Sequence, residues 1–147
     1  MRLVFDTEND GLYDEATRMW CIVAKDIDTK EVFKYAQNNV MSGIDHLMSA
    51  DSLIGHNIVG YDVPVILKIY GIDLSNKNLV DTLVLSRLLN PDRPGGHSLA
   101  AWGDRMGRPK PEHEDWSRYS PEMLNRCIAD VEINEWVYWQ LMKEMKG

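Results

Sequence analysis

Arg2-Leu3-Val4-Phe5-Asp6-Thr7-Glu8, running on into Asn9-Asp10-Gly11-Leu12, carries the first reading of both fold and chemistry. The apolar run Leu3 to Phe5 marks a buried strand over residues 2–6 that ends on Asp6, and Asn9-Asp10-Gly11 signals a turn. In extended chain, side chains two apart share a face, so Asp6 and Glu8 project together. Two bare carboxylates on one face repel each other, a cost that a divalent cation cancels. Alone, so short a pair is most simply two acids at a strand end.

Outward from this strand, Met19 to Ala24 and Glu31 to Tyr35 complete an antiparallel meander, with Asp26-Ile27-Asp28-Thr29 as a turn between them. Ile44, Leu47 and Met48 have helical spacing, which predicts a helix from Gly43 to Ala50. Leu53-Ile54-Gly55 and Leu79-Val80 read as short strands. Between them a helix runs from Asp62 to Tyr70, with Pro64 in its first turn and Gly71 ending it. Asp81 or Thr82 caps a helix through Leu89, residues 90–97 form a loop, and Ser98 to Met106 is a helix closed by Gly107. After an irregular stretch, Ser120-Pro121-Glu122 opens a last helix that runs nearly to the C-terminus. A meander followed by alternating helices and strands predicts an α/β fold, a mixed sheet flanked by helices.

The 147 residues suit one domain, and no repeat or linker divides them. A chain of this size buries roughly two-thirds of its unfolded surface and needs no disulfide or zinc. Cys21 and Cys127 read as buried thiols. No apolar run is long enough for a membrane span or a secretory signal, so the expected compartment is the cytoplasm, that of a host cell if a phage encodes the chain. The net charge of −7 speaks against nucleic-acid binding through an overall basic surface. It leaves room for an enzyme whose carboxylates hold cations, because a metal-loaded acidic site attracts phosphate.

Two further acids stand out. Asp62 closes Asn57-Ile58-Val59-Gly60-Tyr61-Asp62, where it either caps the next helix or joins Asp6 and Glu8. Asp130 lies in the last helix between Ile128 and Val131, a costly place for an acid unless paired or coordinated. Arg126, one turn earlier, offers a salt bridge as the alternative to a metal.

Order and combination decide between these readings. The chain resembles the DEDD exonucleases of the ribonuclease H-like fold, and within them the proofreading domains of family A DNA polymerases of short-tailed phages. The likeness rests on Phe5-Asp6-Thr7-Glu8-Asn9-Asp10-Gly11-Leu12, on Asn57-x-x-x-Tyr61-Asp62, and on Cys127-Ile128-Ala129-Asp130-Val131. Asp81 to Leu88 and His97 to Gly103 add two segments like those of the phage enzymes, so residues 3 to about 142 are covered.

The resemblance implies one exonuclease domain over residues 1–147 that removes nucleoside 5′-monophosphates from the 3′ end of single-stranded DNA, or of RNA. Asp6, Glu8, Asp62 and Asp130 would hold two Mg2+ or Mn2+ ions, about 3.5–4 Å apart in such sites. It also implies that Thr7 lies beside the terminal nucleotide and that Leu12 packs on its base, although Leu12 reads equally as a core leucine. Asn57 and Tyr61 would support the strand-binding groove. With no polymerase segment in view, coupling to synthesis would require a polymerase or another replication protein as partner.

The match breaks at one point. The family places a tyrosine four residues before the third-motif aspartate, or a histidine five before it; here those positions hold Arg126 and Asn125. Arginine cannot act as a general base, but it can stabilise charge developing on a phosphate, so Arg126 is retained as a catalytic candidate. His97, His113 and Tyr119 are candidate substitutes, with a structural role at the head of the next helix expected for His97. The alternative is a catalytically weak or inactive module of the same fold that binds nucleic acid or a replication partner. Arg93, Arg105, Arg108, Lys110 and Arg118 are candidate phosphate contacts, and the tryptophans and tyrosines of the C-terminal half read mainly as core.

Overall fold

The computed structural model describes residues 1–109, 113 and 115–147. Its first strand, β1 (Arg2–Asn9), continues three residues past the expected end at Asp6. The reason is pairing: β2 (Met19–Asp26) runs antiparallel to it, with Asp6 opposite Val23 and Glu8 opposite Cys21, and the register shifts only between Glu8 and Asn9. β3 (Val32–Ala36) extends the meander. β4 (Ser52–Gly55) and β5 (Asn78–Asp81) add parallel strands on the other side, giving the order β3-β2-β1-β4-β5. The mixed sheet expected from the pattern of elements is therefore present.

The two neighbours of β1 differ in length. β4 pairs with it only at Arg2, Leu3 and Val4. Beyond Val4 one edge of β1 has no strand beside it, and a cleft opens there.

Alternation along β1 sorts its side chains between two cores. Leu3 and Phe5 join Ile22 and Ala24 against α1 (Val40–Ser49) and α2 (Val63–Tyr70). Val4 joins Cys21, Val23 and Ile54 against Met123, Cys127 and Val131 of α5 (Pro121–Lys146). Each fully buried Leu, Ile or Phe contributes about 1.5–3 kcal/mol, so two such layers can carry a costly cluster of acids at the sheet end. Asp6 and Glu8 are in phase with Val4 and face α5, while Thr7 is in phase with Phe5 and faces α2.

At the end of β4 the chain bends sharply: a Cβ on Gly55 would lie 2.2 Å from Ile58 Cγ2. Asn57 then adopts a left-handed conformation at φ 64°, and a wide π-type turn over Ile58–Asp62 leads into α2. Asp62 is inside the helical path and makes no capping bond. Asp81 does that work instead. Its carboxylate accepts from the N–H of Asn57 at 2.8 Å and Val59 at 3.1 Å, and from Leu83 at 3.0 Å at the head of α3 (Thr82–Leu89). The side chain of Asp62 is thereby released for the cleft.

α4 (Leu99–Arg105) packs Trp102 against Ile133, Val137 and Leu141 of α5. Trp102 is gripped from two sides, by Arg93 at 4.6 Å and Arg105 at 4.7 Å from its ring. Arg93 is buried and pairs with Glu144 at 2.9 Å, and Arg105 donates to the carbonyls of Pro94 and Gly96. These two arginines, expected as phosphate contacts, instead fasten the loop of residues 90–97. Arg108 and Arg118 make exposed surface pairs with Glu132 and Asp115, which solvent screens and which are easily exchanged. Lys110 lies outside the described residues.

His97 does not cap the next helix. Ser98 does, accepting from Ala101 N–H at 3.0 Å. The His97 ring bridges instead, with Nδ1 2.7 Å from Ser86 Oγ and Nε2 3.1 Å from the Pro91 carbonyl.

Candidate active site

Four carboxylates converge where β1 outruns β4. Asp6 is hydrogen-bonded to Asp130 across the gap between β1 and α5, and it also feels the charges of Glu8 and Asp62. Two carboxyl groups can share a hydrogen bond only with a proton between them. Accordingly burial, then Asp130, Glu8 and Asp62 in turn, hold the Asp6 pKa well above the usual carboxylate range. Burial likewise raises Asp62 to about 7, against the opposing hydrogen bond from Thr7 Oγ1 at 2.7 Å. Thr7 itself accepts from Asn9 Nδ2 at 3.1 Å, so the side chain that holds Asp62 is held in turn.

These shifts fix a pH dependence. Without metal, folded Asp6 and Asp62 keep protons that the unfolded chain has already released. Their contribution to stability is full below the unfolded value of 3.8 and is lost as pH rises through the folded value, about 7 for Asp62. Groups with lowered values, such as Asp10 and Asp73, act in the opposite sense but complete their effect at more acid pH. The melting temperature of the chain in EDTA is therefore expected to fall between pH 4.5 and 8, and saturating Mn2+ to remove that fall. A curve in EDTA that is flat or rising would show that the carboxylates do not repel.

Two cavities flank the cluster. One, of about 420 Å³, is lined by Thr7, Glu8, Leu12, Tyr61 and Trp116 among others. Leu12 is 76% exposed there, which removes the core reading. The Tyr61 hydroxyl donates to the Gly11 carbonyl at 2.6 Å and pins the turn that carries Leu12, and burial pushes its pKa up to about 12. The second cavity, of about 360 Å³, includes Asp6, Asp130, His56 and Asn57. Asn57 lines this second cavity and Tyr61 the first, one turn apart, with the Tyr61 N–H donating to the Asn57 carbonyl at 3.0 Å.

Arg126 reaches the cluster from α5, with Nε 3.9 Å from Glu8 Oε1 and its guanidinium 5.2 Å over the Trp116 ring. Trp116 is fixed by Trp20 Nε1, which donates to its carbonyl at 2.9 Å, and carries His113 edge-on at 4.7 Å. No local pattern reveals this tryptophan's position, because a loop residue is located by long-range contacts rather than by periodicity. Neither His113 nor Tyr119 is among the described residues lining the two cavities, and Tyr119 packs on the α5 side of the core. Asn125 is exposed.

Cys127 also stands beside the acids. Its thiol donates to the Asp6 carbonyl at 3.4 Å and lies 3.7 Å from Oδ2, and burial, then Cys21 and Asp6, push its pKa up, so it remains a protonated donor. Ligand atoms of Asp6, Glu8 and Cys127 all fall within 4.8 Å of one another. A donor set made of carboxylate oxygens suits a hard divalent cation such as Mg2+ or Mn2+, and the mutual repulsion of the acids is what such a cation would relieve.

No family model matches the chain. Against curated proteins it is 26% identical to the DNA-directed DNA polymerase of Escherichia phage T7 over 187 aligned residues, which cover 97% of the chain and 27% of the polymerase. The polymerase of Enterobacteria phage T3 matches equally. The chain is thus similar in sequence to one part of these phage polymerases. It spans about a quarter of their length, 27%.

Among solved structures, Escherichia coli RNase D superposes with a TM-score of 0.72 at 18% identity, covering 99% of this chain and 40% of the neighbour. Brucella melitensis NrnC bound to pGG gives 0.73 at 16% identity, over 99% and 73%. A further NrnC structure contains bound Mg2+. The chain therefore has the ribonuclease H-like fold of these neighbours, a mixed five-stranded sheet flanked by helices.

Proposed function

We propose that the chain is a metal-dependent 3′→5′ exonuclease acting on single-stranded DNA. The observation that carries this reading is the gathering of acids at one point: Asp6 shares a cavity with Asp130, has Glu8 within 4.8 Å, and feels the charge of Asp62 as well. Asp6, Glu8 and Asp130 would hold one Mg2+ or Mn2+ ion, and Asp6 with Asp62 a second. When bound, such ions supply an activated water and neutralise charge on the attacking and leaving oxygens of a phosphodiester.

The chain's own residues do the rest. Thr7 orients Asp62 through its 2.7 Å hydrogen bond. The cavity beside Leu12 and Trp116 receives the terminal nucleoside, with the base against these two apolar surfaces and Tyr61 fixing the turn below. The Arg126 guanidinium donates to the non-bridging phosphate oxygens as negative charge builds. The Trp116 ring, 5.2 Å from that guanidinium, helps to hold it in place.

Residues 1–147 form one exonuclease domain in this reading. Likeness to the phage polymerases supports a proofreading role, with a polymerase or other replication protein as partner. Among the described residues no helix is long and apolar enough to cross a membrane, and the proposed place of action is the cytoplasm of the host cell. The test is digestion of single-stranded oligonucleotides in Mn2+. A 3′-labelled strand should release labelled nucleoside 5′-monophosphate at once, and a 5′-labelled strand should shorten one nucleotide at a time. Internal cuts would refute the exonuclease. Absence of release with metal bound would leave a nucleic-acid-binding module, the reading that Arg126 in place of a tyrosine favours. Parallel RNA strands set the sugar preference.

A further inference from the structure

The second cavity places one arginine beside the acids. Arg87 lines it together with Asp6, Asp130, Asn57, Leu83 and Leu99. It is exposed, and among the described residues no carboxylate or carbonyl holds it, whereas Arg93, Arg105, Arg108 and Arg118 are all engaged elsewhere. In a chain of net charge −7, a phosphate approaching four carboxylates needs a local cation.

The helix that presents Arg87 is firmly held. On its inner side Thr82 Oγ1 accepts from Asn134 Nδ2 at 2.9 Å and contacts His56 Nδ1 at 2.8 Å. One turn on, Ser86 Oγ accepts from Trp102 Nε1 at 3.2 Å and meets His97 Nδ1 at 2.7 Å. Leu83 and Arg87 are four residues apart and so share a helix face, placing a cation next to an apolar wall. An apolar surface with a cation at its rim matches a nucleotide in a single strand, with its base or sugar on the leucines and its phosphate on the guanidinium.

We infer that this cavity seats the penultimate nucleotide, with Arg87 binding the phosphate on its 5′ side. The inference rests on the exonuclease reading. The terminal nucleoside lies beside Leu12, the scissile phosphate lies over Asp6, and the strand continues into the cavity that Asp6 and Asp130 share with Arg87.

The test compares two substrates of the full chain in Mn2+. With a deoxythymidine decamer, Arg87→Ala should raise KM about tenfold with kcat within twofold, and should reduce the slope of log KM against log salt by about 0.7–1, the loss of one phosphate contact. With the p-nitrophenyl ester of thymidine 5′-monophosphate, which has no upstream phosphate, kcat/KM should not change. Arg87→Lys should recover most of the loss on the decamer. Equal losses on both substrates, or an unaltered KM on the decamer, would overturn the inference. If the wild type hydrolyses neither substrate, the exonuclease reading fails separately. Anisotropy of the labelled decamer in Ca2+ then decides for Arg87: tenfold weaker binding with the smaller salt slope supports it, and unchanged affinity overturns it.

Discussion

Asp6→Ala is expected to remove mononucleotide release, lowering kcat/KM in Mn2+ by about 10³-fold or more, and to make the metal-free chain more stable. The first effect follows from position. Asp6 is the carboxylate that feels all three others, so both proposed ion sites lose a ligand together. Removing one preorganised electrostatic group at a reacting phosphate typically costs 10²–10³-fold, and loss of a shared metal ligand should exceed that. The second effect follows from repulsion. Burial, Asp130, Glu8 and Asp62 all oppose the charged form of Asp6, and at pH 8 in EDTA the wild type bears that cost. Its relief should raise the melting temperature by roughly 3–6 °C, the shift that about 1–2 kcal/mol produces in a chain of this size. Asp6→Asn, which keeps the shape, should behave alike. In Mn2+ the order should reverse, because only the wild type gains from binding. Retained turnover in either variant would mean that other residues carry the chemistry.

Arg126→Ala should lower kcat by about 10–100-fold while leaving the pH profile unmoved, because a guanidinium does not titrate in the accessible range. Arg126→Tyr restores the residue type that the fold's relatives were expected to carry, yet it too should lower the rate. Arg126 is held between Glu8 and the face of Trp116, an arrangement suited to a planar cation. Trp116→Ala should weaken the same step by freeing that guanidinium, with a larger KM where the base loses its wall. A faster Arg126→Tyr enzyme would contradict this account, since it would mean that the position was simply vacant of a base.

The sequence made the sheet and the order of elements readable because both depend on local pattern. The run Leu3 to Phe5, the turn at Asp26 to Thr29 and the cap at Ser120 all stand in the structure where short-range rules put them. The pairing limits of β1 were not readable, because they come from how far β2 and β4 extend, and that difference is what opens the cleft. Asp62 looked like a cap because the true donor of that service, Asp81, lies nineteen positions on and reaches back through space. Arg93 and Arg105 read as candidate phosphate contacts because nothing local reveals that both pack on Trp102. The convergence of Asp6 and Asp130 was inferred from motif order, and their separation was beyond any spacing rule.

Calorimetric titration of Mn2+ into the metal-free chain at pH 8 tests the central claim most directly. The account predicts saturable uptake of two ions by the wild type, accompanied by proton release when the titration is repeated near pH 6.5, and loss of at least one ion in Asp130→Asn. Absence of uptake by the wild type, or uptake that Asp130→Asn leaves unchanged, would contradict it.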